Sequence, residues 1–259
     1  MNSSSPVAVI TAAGRGIGAA CARELSSRGY DVALLSPSGS AERLAGELGG
    51  IGITGSVTSD ADLTLLVNTA LDKWGRIDAV VNNTGLMGTL MASRGHAIGP
   101  LGRAELSAYG NGKETIDTLP DELWHDALDL FFLNIVRMCR LVTPVMMQQR
   151  HGAIVNITSN DVFEPKIAFP LTPIRAATHA YTKMYADKYA RYGIRINTVA
   201  PGLLENLSLT PEDTRDLIPM SRLGSFGDIA QAVAFLLSEN AAYVTGHVLR
   251  VDGGMNRGI

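Results

Sequence analysis

Short apolar runs alternate with longer segments of helical periodicity along the chain, and this alternation constrains the fold more than any other feature of the sequence. The runs are β-branched or aliphatic and apolar on both faces, which is typical of central strands covered by helices on each side. Strands that alternate with helices form βαβ units, so the strands run parallel. We therefore predict an α/β fold with a doubly wound parallel sheet and helices on both faces. The strand-like runs are "VAVIT", "DVALLS", "IDAVVNN", "GAIVNITS", "IRINTVAP" and "HVLRVDGG".

Length, charge and cysteine content exclude other classes of protein. The chain has 259 residues, 46% of them apolar, which is enough to bury the core of one large α/β domain. A net charge of -3 without a long basic run leaves no electrostatic footprint for nucleic acid. We see no signal segment and no apolar stretch of membrane-spanning length, and we expect a cytoplasmic protein with no membrane partner. Cys21 and Cys139 lie in helix-like apolar patterns and are predicted to be core residues rather than metal ligands.

The stretch from about 87 to 115 breaks the alternation, because it is rich in glycine and polar residues and has no sustained period. It is longer than most connections in compact domains. It also follows the carboxyl end of a predicted strand, where open α/β sheets bind their ligands. We predict an unusual lid-like insertion here, and a disordered surface loop is the alternative.

The first strand leads into a glycine-rich turn, "TAAGRGIG", from Thr11 to Gly18, and a helix follows it. Such a turn lets the backbone approach a pyrophosphate, whose negative charge is stabilised by the free N–H groups and the dipole of the helix. On its own this glycine pattern is a weak signal.

Further motifs make the chain resemble the short-chain dehydrogenase/reductase family over nearly its whole length. "TAAGRGIG" resembles the family's TGxxxGxG, and "NNTG" at Asn82 to Gly85 resembles its NNAG. "FFLNIV" holds Asn134 where the family has a helix asparagine, and "IVNITS" resembles the strand of the catalytic serine. "GIRINTVAPG" and "AAYVTGHVLRVDGG" complete the series. The resemblance implies a Rossmann-like fold in one domain over 1–259, a small-molecule substrate, and a homotetramer, with a dimer as the alternative.

The resemblance also implies a nicotinamide cofactor held along one edge of the sheet. The implied cofactor-binding residues are Gly14, Arg15, Gly16, Ile17, Gly18, Ser36, Ser38, Ser56, Val57, Asn83, Gly85, Pro201 and Gly202.

Several of these positions depart from the family pattern. Ala12 replaces the first glycine of the phosphate loop, which restricts the backbone without abolishing the turn. Where the family often has an acidic residue for the adenosine ribose of NAD, this chain has "SPSGS" from Ser36 to Ser40. Because no carboxylate there repels a 2′-phosphate and Arg15 lies in the glycine loop, NADP is favoured and NAD remains an alternative. A merely solvated Arg15 is the alternative interpretation. Ser56 stands where an Asp or Asn commonly contacts adenine.

By resemblance, the family reaction uses an Asn that holds a water, a Ser that bonds the substrate oxygen, a Tyr that moves the proton and a Lys that lowers the pKa of the Tyr. Asn134 and Ser159 match the first two. The tyrosine position falls on Leu171 and the lysine position on Arg175. Because Leu171 follows Ser159 by 12 residues, one fewer than the usual family interval of about 13, Thr158 is an alternative to Ser159.

The usual proton transfer is therefore missing, since leucine has no ionisable proton and arginine does not release one near neutrality. Arg175 can hold a fixed positive charge for a carboxylate, a phosphate or an oxyanion, or it can simply contact the cofactor ribose or a helix neighbour. The predicted catalytic residues are Ser159, Arg175 and Asn134. The residues weighed in place of the tyrosine are Tyr109 and His96 in the insertion, Asp161 and Glu164 after Ser159, and Tyr181 and Tyr185, for which core packing is the better explanation.

Three functions stay open at this point. The first is an NAD(P)-binding oxidoreductase with an atypical active site, acting on a small or medium carbonyl or alcohol. The second is a non-redox enzyme derived from the same family that catalyses elimination, isomerisation or cyclisation. The third is a non-catalytic nucleotide-binding subunit.

Overall fold

A single parallel sheet forms the centre of the protein. The computed structural model describes residues 5–84, 119–165 and 171–258. Within these residues the strands are β1 Val7–Ile10, β2 Asp31–Ser36, β3 Ile51–Thr54, β4 Ala79–Asn82, β5 Gly152–Ile157, β6 Ile194–Pro201 and β7 Val248–Val251. Their order across the sheet is β3-β2-β1-β4-β5-β6-β7, and every pair is parallel. The predicted doubly wound, Rossmann-like sheet is thus confirmed, with its order reversing between β1 and β4.

Helices cover both faces of the sheet. The helix bounds are α1 Gly16–Ser27, α2 Ser40–Leu48, α3 Asp60–Trp74, α4 Asp121–Leu128, α5 Asn134–Gln149, α6 Leu171–Tyr189, α7 Pro211–Leu217 and α8 Phe226–Leu237. Apolar side chains of α1, α2 and α8 form one core with one face of the strands. Those of α3, α5 and α6 form a second core on the other face. This two-sided burial explains why the central strands are apolar throughout rather than alternating.

The edge strand β3 is missing from the strands predicted by apolar runs. It comprises four residues, "IGIT", none of which is fully buried. Because an edge strand pairs on one side only and stays half exposed, its sequence carries a weaker apolar signal than that of a central strand.

The start of α3 has one half of a capping box. The Ser59 hydroxyl accepts the N–H of Asp62 at 3.2 Å, as expected of an N-cap. The carboxylate of Asp62 does not return to Ser59 but accepts the N–H of Ser56 at 2.8 Å. This bond fixes the turn after β3, which contains two of the predicted cofactor-binding residues.

A continuous helical run from Asp121 to Gln149 joins α4 to α5 through a π-helical turn, Asp129–Leu133. The run is 29 residues long and its most apolar window has a mean hydropathy of 1.5, so by length and composition it could cross a membrane. However, α5 contributes to the core against the sheet, and core helices of this kind pass the same test. The prediction that no apolar stretch reaches membrane-spanning length was therefore wrong. The absence of a membrane partner stays a prediction.

The two cysteines are confirmed as core residues. Cys21 and Cys139 are free and fully buried, and burial raises the pKa of each thiol to about 12. Within 5–84, 119–165 and 171–258, no group of three or more His, Cys, Asp or Glu side chains could hold a metal ion. The predicted insertion at about 87–115 lies outside the described residues, as do its candidates Tyr109 and His96.

A buried chain of polar side chains ties α6 to the sheet. The side-chain amide of Asn82 donates to Asn156 Oδ1 at 2.8 Å, and the side-chain amide of Asn156 donates to the Thr182 hydroxyl at 3.0 Å. Thr182 and Thr198 share a hydroxyl hydrogen bond at 3.0 Å. The chain therefore links β4, β5, α6 and β6, and it fixes α6, which carries the residues at positions 171 and 175, against three strands.

We predict that Asn156→Ala lowers the free energy of unfolding by about 2–4 kcal/mol, because it leaves the buried amide of Asn82 and the hydroxyl of Thr182 without that partner. Urea denaturation followed by circular dichroism measures this change. Asn68→Ala on the exposed face of α3 is the matched control and should change stability by less than about 0.5 kcal/mol. Equal effects of the two substitutions would contradict a structural role for the chain.

Candidate active site

The carboxyl ends of five strands bring most of the predicted site residues to one edge of the sheet. The glycine turn follows β1, Ser36 ends β2, and Asn83 follows β4. Ser159 lies two residues after the end of β5, and Pro201 ends β6 with Gly202 after it. Ligands of open α/β sheets bind at this edge, where the strand order reverses. Gly85 lies outside the described residues.

The glycine turn is tightly packed and partly left-handed. Gly16 has φ +55°, a region that favours glycine. A Cβ atom on Gly18 would lie 2.4 Å from the carbonyl oxygen of Ala12, and one on Gly14 would lie 2.0 Å from the Ser40 hydroxyl oxygen. The turn keeps its shape although Ala12 replaces a glycine, because Ala12 itself adopts φ +47°.

Thr11 and Asn83 brace this turn across the point where the strand order reverses. The Thr11 hydroxyl donates to the carbonyl oxygen of Asn83 at 3.0 Å and accepts the Asn83 N–H at 3.0 Å. The side-chain amide of Asn83 donates to the carbonyl oxygen of Ala12 at 3.2 Å. Asn83 therefore holds the strained residue of the turn directly.

The chain after β2 presents a group of serine hydroxyls at the start of α2. The buried Ser36 hydroxyl donates to the Ser38 carbonyl oxygen at 2.6 Å, and it lies 3.2 Å from the Ser40 hydroxyl. Ser38 is exposed, and its hydroxyl lies 2.8 Å from that of Ser40. Arg15, at the N-cap of α1, is exposed. Hydroxyls and a guanidinium are groups that bind phosphate oxygens.

Two further predicted cofactor residues have side chains that point into the protein. Val57 is 9% exposed and belongs to the core beneath α3, so only its backbone is available to a nucleotide. Ile17 packs against the core on the opposite face. The Ser56 hydroxyl pairs with that of Thr58 at 2.8 Å.

These residues fit a dinucleotide. A Cβ atom on Gly14 or Gly18 would collide with neighbouring atoms, and Gly16 needs its positive φ, so the turn carries no side chains at these positions and its backbone stays open to a pyrophosphate. First-turn N–H groups of a helix also lack intrahelical partners. The site would therefore hold the phosphates on the turn, with the serine group of β2 at the adenosine end.

Arg175 is buried in the crevice at the carboxyl ends of the strands, at the end opposite the serine group of β2. Its guanidinium donates from Nη1 to the Ile157 carbonyl oxygen at 2.6 Å and from Nη2 to the Thr84 carbonyl oxygen at 3.0 Å, and it lies 4.9 Å from the centre of the Phe131 ring. Within the described part of the chain, Nε has no hydrogen-bond partner and no carboxylate pairs with this side chain. Burial lowers the pKa of Arg175 to about 10, so the group remains a fixed cation near neutrality.

Asn134 joins the same network through Thr84. Its side-chain amide donates to the Thr84 hydroxyl at 3.3 Å and to the Leu130 carbonyl oxygen, which the preceding π-helical turn presents to it. Such single π turns inside α-helices are frequent at functional sites. Asn134 and Arg175 thus both hydrogen-bond to Thr84. The bond from Arg175 to the Ile157 carbonyl oxygen connects it to the end of β5, which Ser159 follows.

Ser159 and Thr158 point to different partners. The Ser159 hydroxyl donates to Asp161 Oδ2 at 2.9 Å. The Thr158 hydroxyl lies 2.9 Å from His179 Nε2 and 3.4 Å from the Val199 carbonyl oxygen. Because Thr158 is buried and hydrogen-bonded to α6 and β6, Ser159 remains the better candidate for substrate contact.

His179 is a polar residue of this region that the motifs did not identify. It follows Leu171 and Arg175 at intervals of four residues, so all three lie on one face of α6. Burial, with a smaller effect of the Arg175 charge, lowers the pKa of His179 to about 4. The imidazole is therefore neutral near pH 7 and serves Thr158 as a hydrogen-bond partner. Its spacing from Arg175 is the signal that could have revealed it.

The position predicted for the family's tyrosine is occupied by an apolar side chain. Leu171 is the first residue of α6 and packs against a small apolar cluster that contains Phe131 and Ile174. Tyr181 and Tyr185 pack in the core between α5 and α6, as predicted, and burial raises the pKa of both phenols. Tyrosines that hold their protons this tightly are poor proton donors.

Comparison with known proteins shows which family the chain belongs to. The family model for short chain dehydrogenases matches residues 6–216. The chain belongs to the short-chain dehydrogenase family. It is 30% identical to the 3-oxoacyl-(acyl-carrier-protein) reductase FabG of Escherichia coli K12, over 98% of this chain and 99% of that protein. It is 32% identical to the enzyme of the same name from Vibrio cholerae, over 98% and 99%, and 30% identical to that of Staphylococcus epidermidis, over 96% and 98%.

Membership of the short-chain dehydrogenase family implies oxidoreductase chemistry with a nicotinamide cofactor and a small-molecule substrate. The individual roles of the site residues remain predictions.

We predict that Ala12→Gly raises the free energy of unfolding by about 0.5–1 kcal/mol, because glycine removes the cost of a left-handed alanine, which exceeds the entropy that glycine loses on folding. Urea denaturation measures the gain. The matched control is Ala20→Gly inside α1, which should lower stability by about 0.5–1 kcal/mol. A destabilisation of the same size at both positions would contradict the strained geometry of Ala12.

Proposed function

We propose that the protein is an NADP(H)-dependent oxidoreductase of this family, with an altered proton-transfer arrangement, that acts on a small or medium carbonyl or alcohol. The observation that carries the proposal is the braced glycine turn at the point where the strand order reverses, which fits a dinucleotide. When bound, the nicotinamide supplies or accepts a hydride. The chain's own part is to hold the nucleotide, to orient the substrate oxygen at Ser159, and to favour negative charge through Arg175. We also propose a cytoplasmic homotetramer.

The preference for NADP over NAD rests on the groups after β2. The exposed Ser38 hydroxyl and Arg15 suit a 2′-phosphate, and no acidic residue occupies positions 36–40. Glu42 in the first turn of α2 is a nearby carboxylate, but its Oε1 accepts the N–H of Thr54 at 3.2 Å, which turns it toward β3. The charge balance at this end of the crevice therefore favours a phosphorylated ribose.

We expect Arg15→Gln to raise the dissociation constant of NADPH about tenfold, because a charge-assisted contact to phosphate is lost, and to change that of NADH by less than about twofold. Fluorescence titration with each nucleotide measures both constants. Arg28→Gln is the matched control, since Arg28 is an exposed arginine at the other end of α1 that pairs with Glu24. Equal weakening of both nucleotides by Arg15→Gln would contradict a role in NADP preference.

The function itself is tested by following nicotinamide absorbance with a panel of carbonyls and alcohols. A 3-oxoacyl thioester belongs in the panel, because the relatives compared above are named as reductases of 3-oxoacyl groups. An absorbance change with turnover supports the oxidoreductase. Turnover without absorbance change favours non-redox chemistry, and nucleotide binding without any turnover favours a non-catalytic subunit.

A non-redox enzyme is the second candidate, and the geometry of Arg175 favours it. A fixed buried cation beside a hydrocarbon at position 171 can stabilise developing negative charge in elimination, isomerisation or cyclisation without moving a proton itself. Ser159 would then orient the substrate oxygen.

The double substitution Leu171→Tyr with Arg175→Lys separates the two candidates. If the protein is an oxidoreductase, restoring a general acid should raise carbonyl reduction by about 100-fold to 10,000-fold. Steady-state rates of NADPH oxidation measure the change. Leu171→Phe with Arg175→Lys is the matched control, because it adds a ring without a hydroxyl and should give no such gain. Loss of a native non-redox turnover in the double variant would instead support the second candidate.

A further inference from the structure

The turn after β5 places a carboxylate against the serine of the crevice. The Ser159 hydroxyl donates to Asp161 Oδ2 at 2.9 Å, and the Asp161 N–H lies 3.4 Å from the Ser159 hydroxyl oxygen. Ser159 is the N-cap of a 3₁₀ turn, Asn160–Val162, so the two residues are held in one short local unit. Because the hydroxyl hydrogen points to the carboxylate and the Asp161 N–H takes one lone pair, the serine oxygen keeps its second lone pair for a hydrogen bond from another group.

Among the residues that the structure describes, this pair supplies a proton acceptor that Leu171, Arg175 and His179 do not. Leu171 has no exchangeable proton, Arg175 keeps its proton near neutrality, and His179 is neutral and bonded to Thr158. The carboxylate of Asp161 is a proton acceptor in direct contact with the serine that resemblance places at the substrate oxygen.

We propose that Asp161, acting through the hydroxyl of Ser159, accepts the proton that an alcohol substrate releases on oxidation. The proposal deepens the oxidoreductase function proposed above and rests on it. It assigns the proton acceptor, and it makes alcohol oxidation the direction that an ionised Asp161 assists.

The step balances as follows. The O–H bond of the alcohol breaks and its proton passes to Ser159 Oγ, while the Ser159 proton passes to Asp161 Oδ2. The alcohol C–H bond breaks and its hydride, with two electrons, goes to an oxidised nicotinamide nucleotide, so that the C=O bond forms. The products are a carbonyl compound, a reduced nucleotide and a protonated Asp161, which releases its proton to solvent. Carbonyl reduction follows the same path backward and requires a protonated Asp161.

The other charged and titratable groups around this turn determine how a pH profile is interpreted. Glu164 lies in the same turn and accepts the Arg257 N–H at 2.5 Å. His179 on α6 lies 5.5 Å, between ring centres, from Phe163, which follows the turn, and Arg175 lies one helical turn before His179. Arg250 on β7 lies 5.1 Å from the centre of the Phe163 ring. Arg175 keeps its proton near neutrality. Glu164 is the neighbouring carboxylate to be distinguished from Asp161.

We expect Asp161→Asn to lower kcat for alcohol oxidation by about 100-fold to 10,000-fold and to remove the acidic limb of the kcat/KM profile. The dissociation constant of NADP should change by less than about twofold, because Asp161 has no part in nucleotide binding. Glu164→Gln is the matched control and should keep both the rate and the acidic limb. Asp161→Glu retains a carboxylate and should restore the limb with a partial recovery of rate.

Ser159→Ala should cause a loss of similar size, and the double variant with Asp161→Asn should lose no more than about threefold further, since the two residues act as one unit. A readout independent of activity is the NMR titration of the Asp161 carboxyl carbon in nucleotide-free protein. Ser159→Ala removes a hydrogen bond to the ionised form, so the titration midpoint should move to higher pH. An unchanged midpoint would overturn the pairing.

Failure of this inference differs from failure of the proposed function. If the wild-type protein oxidises alcohols while Asp161→Asn keeps its rate and its acidic limb, the proton acceptor is another group and the oxidoreductase function stands. If no alcohol or carbonyl changes nicotinamide absorbance in the wild-type protein, the oxidoreductase function itself fails, and this inference fails with it.

Discussion

The geometry of the crevice depends on the buried guanidinium of Arg175. Its two hydrogen bonds reach the carbonyl oxygens of Ile157 and Thr84, which lie at the ends of neighbouring strands, and its flat face rests near the Phe131 ring. A buried charge is costly unless its donors are satisfied, and here the partners within the described residues are backbone oxygens and not a carboxylate. The start of α6, the strand ends and the π-helical turn are thereby held together by one side chain.

Positions 171 and 175 are the two at which the sequence is predicted to depart from the family pattern together. By resemblance, a lysine at 175 would lower the pKa of a tyrosine at 171, whereas the two Nη atoms of Arg175 donate to backbone oxygens at two strand ends. Because position 171 holds no phenol, its side chain is available for packing, and Leu171 joins the apolar cluster of Phe131 and Ile174. The predicted departure at these two positions concerns proton transfer rather than cofactor binding.

The sequence predicts the sheet well where strands are central and poorly at its edge. Apolar runs mark strands buried on both faces, but β3 is short and half exposed and so escapes detection. Motifs locate Ser159 and Asn134, because their positions follow strands and helices of predictable length. Motifs do not predict that Arg175 donates to strand carbonyls or that His179 faces Thr158, since side-chain direction depends on how α6 lies on the sheet. The distinct partners of Thr158 and Ser159 likewise follow from the turn and not from the residue types.

Ala12 shows why a lost glycine is not by itself evidence against nucleotide binding. Its left-handed backbone, φ +47°, carries a cost of about 1–2 kcal/mol that a glycine would avoid. The cost is tolerated because Asn83 bonds the Ala12 carbonyl oxygen and Thr11 bonds the backbone of Asn83. The shape of the turn is therefore imposed by contacts from β4 rather than by the freedom of its first residue. A phosphate-binding turn stays open as long as Gly14, Gly16 and Gly18 remain without side chains, and those are the positions that this chain retains.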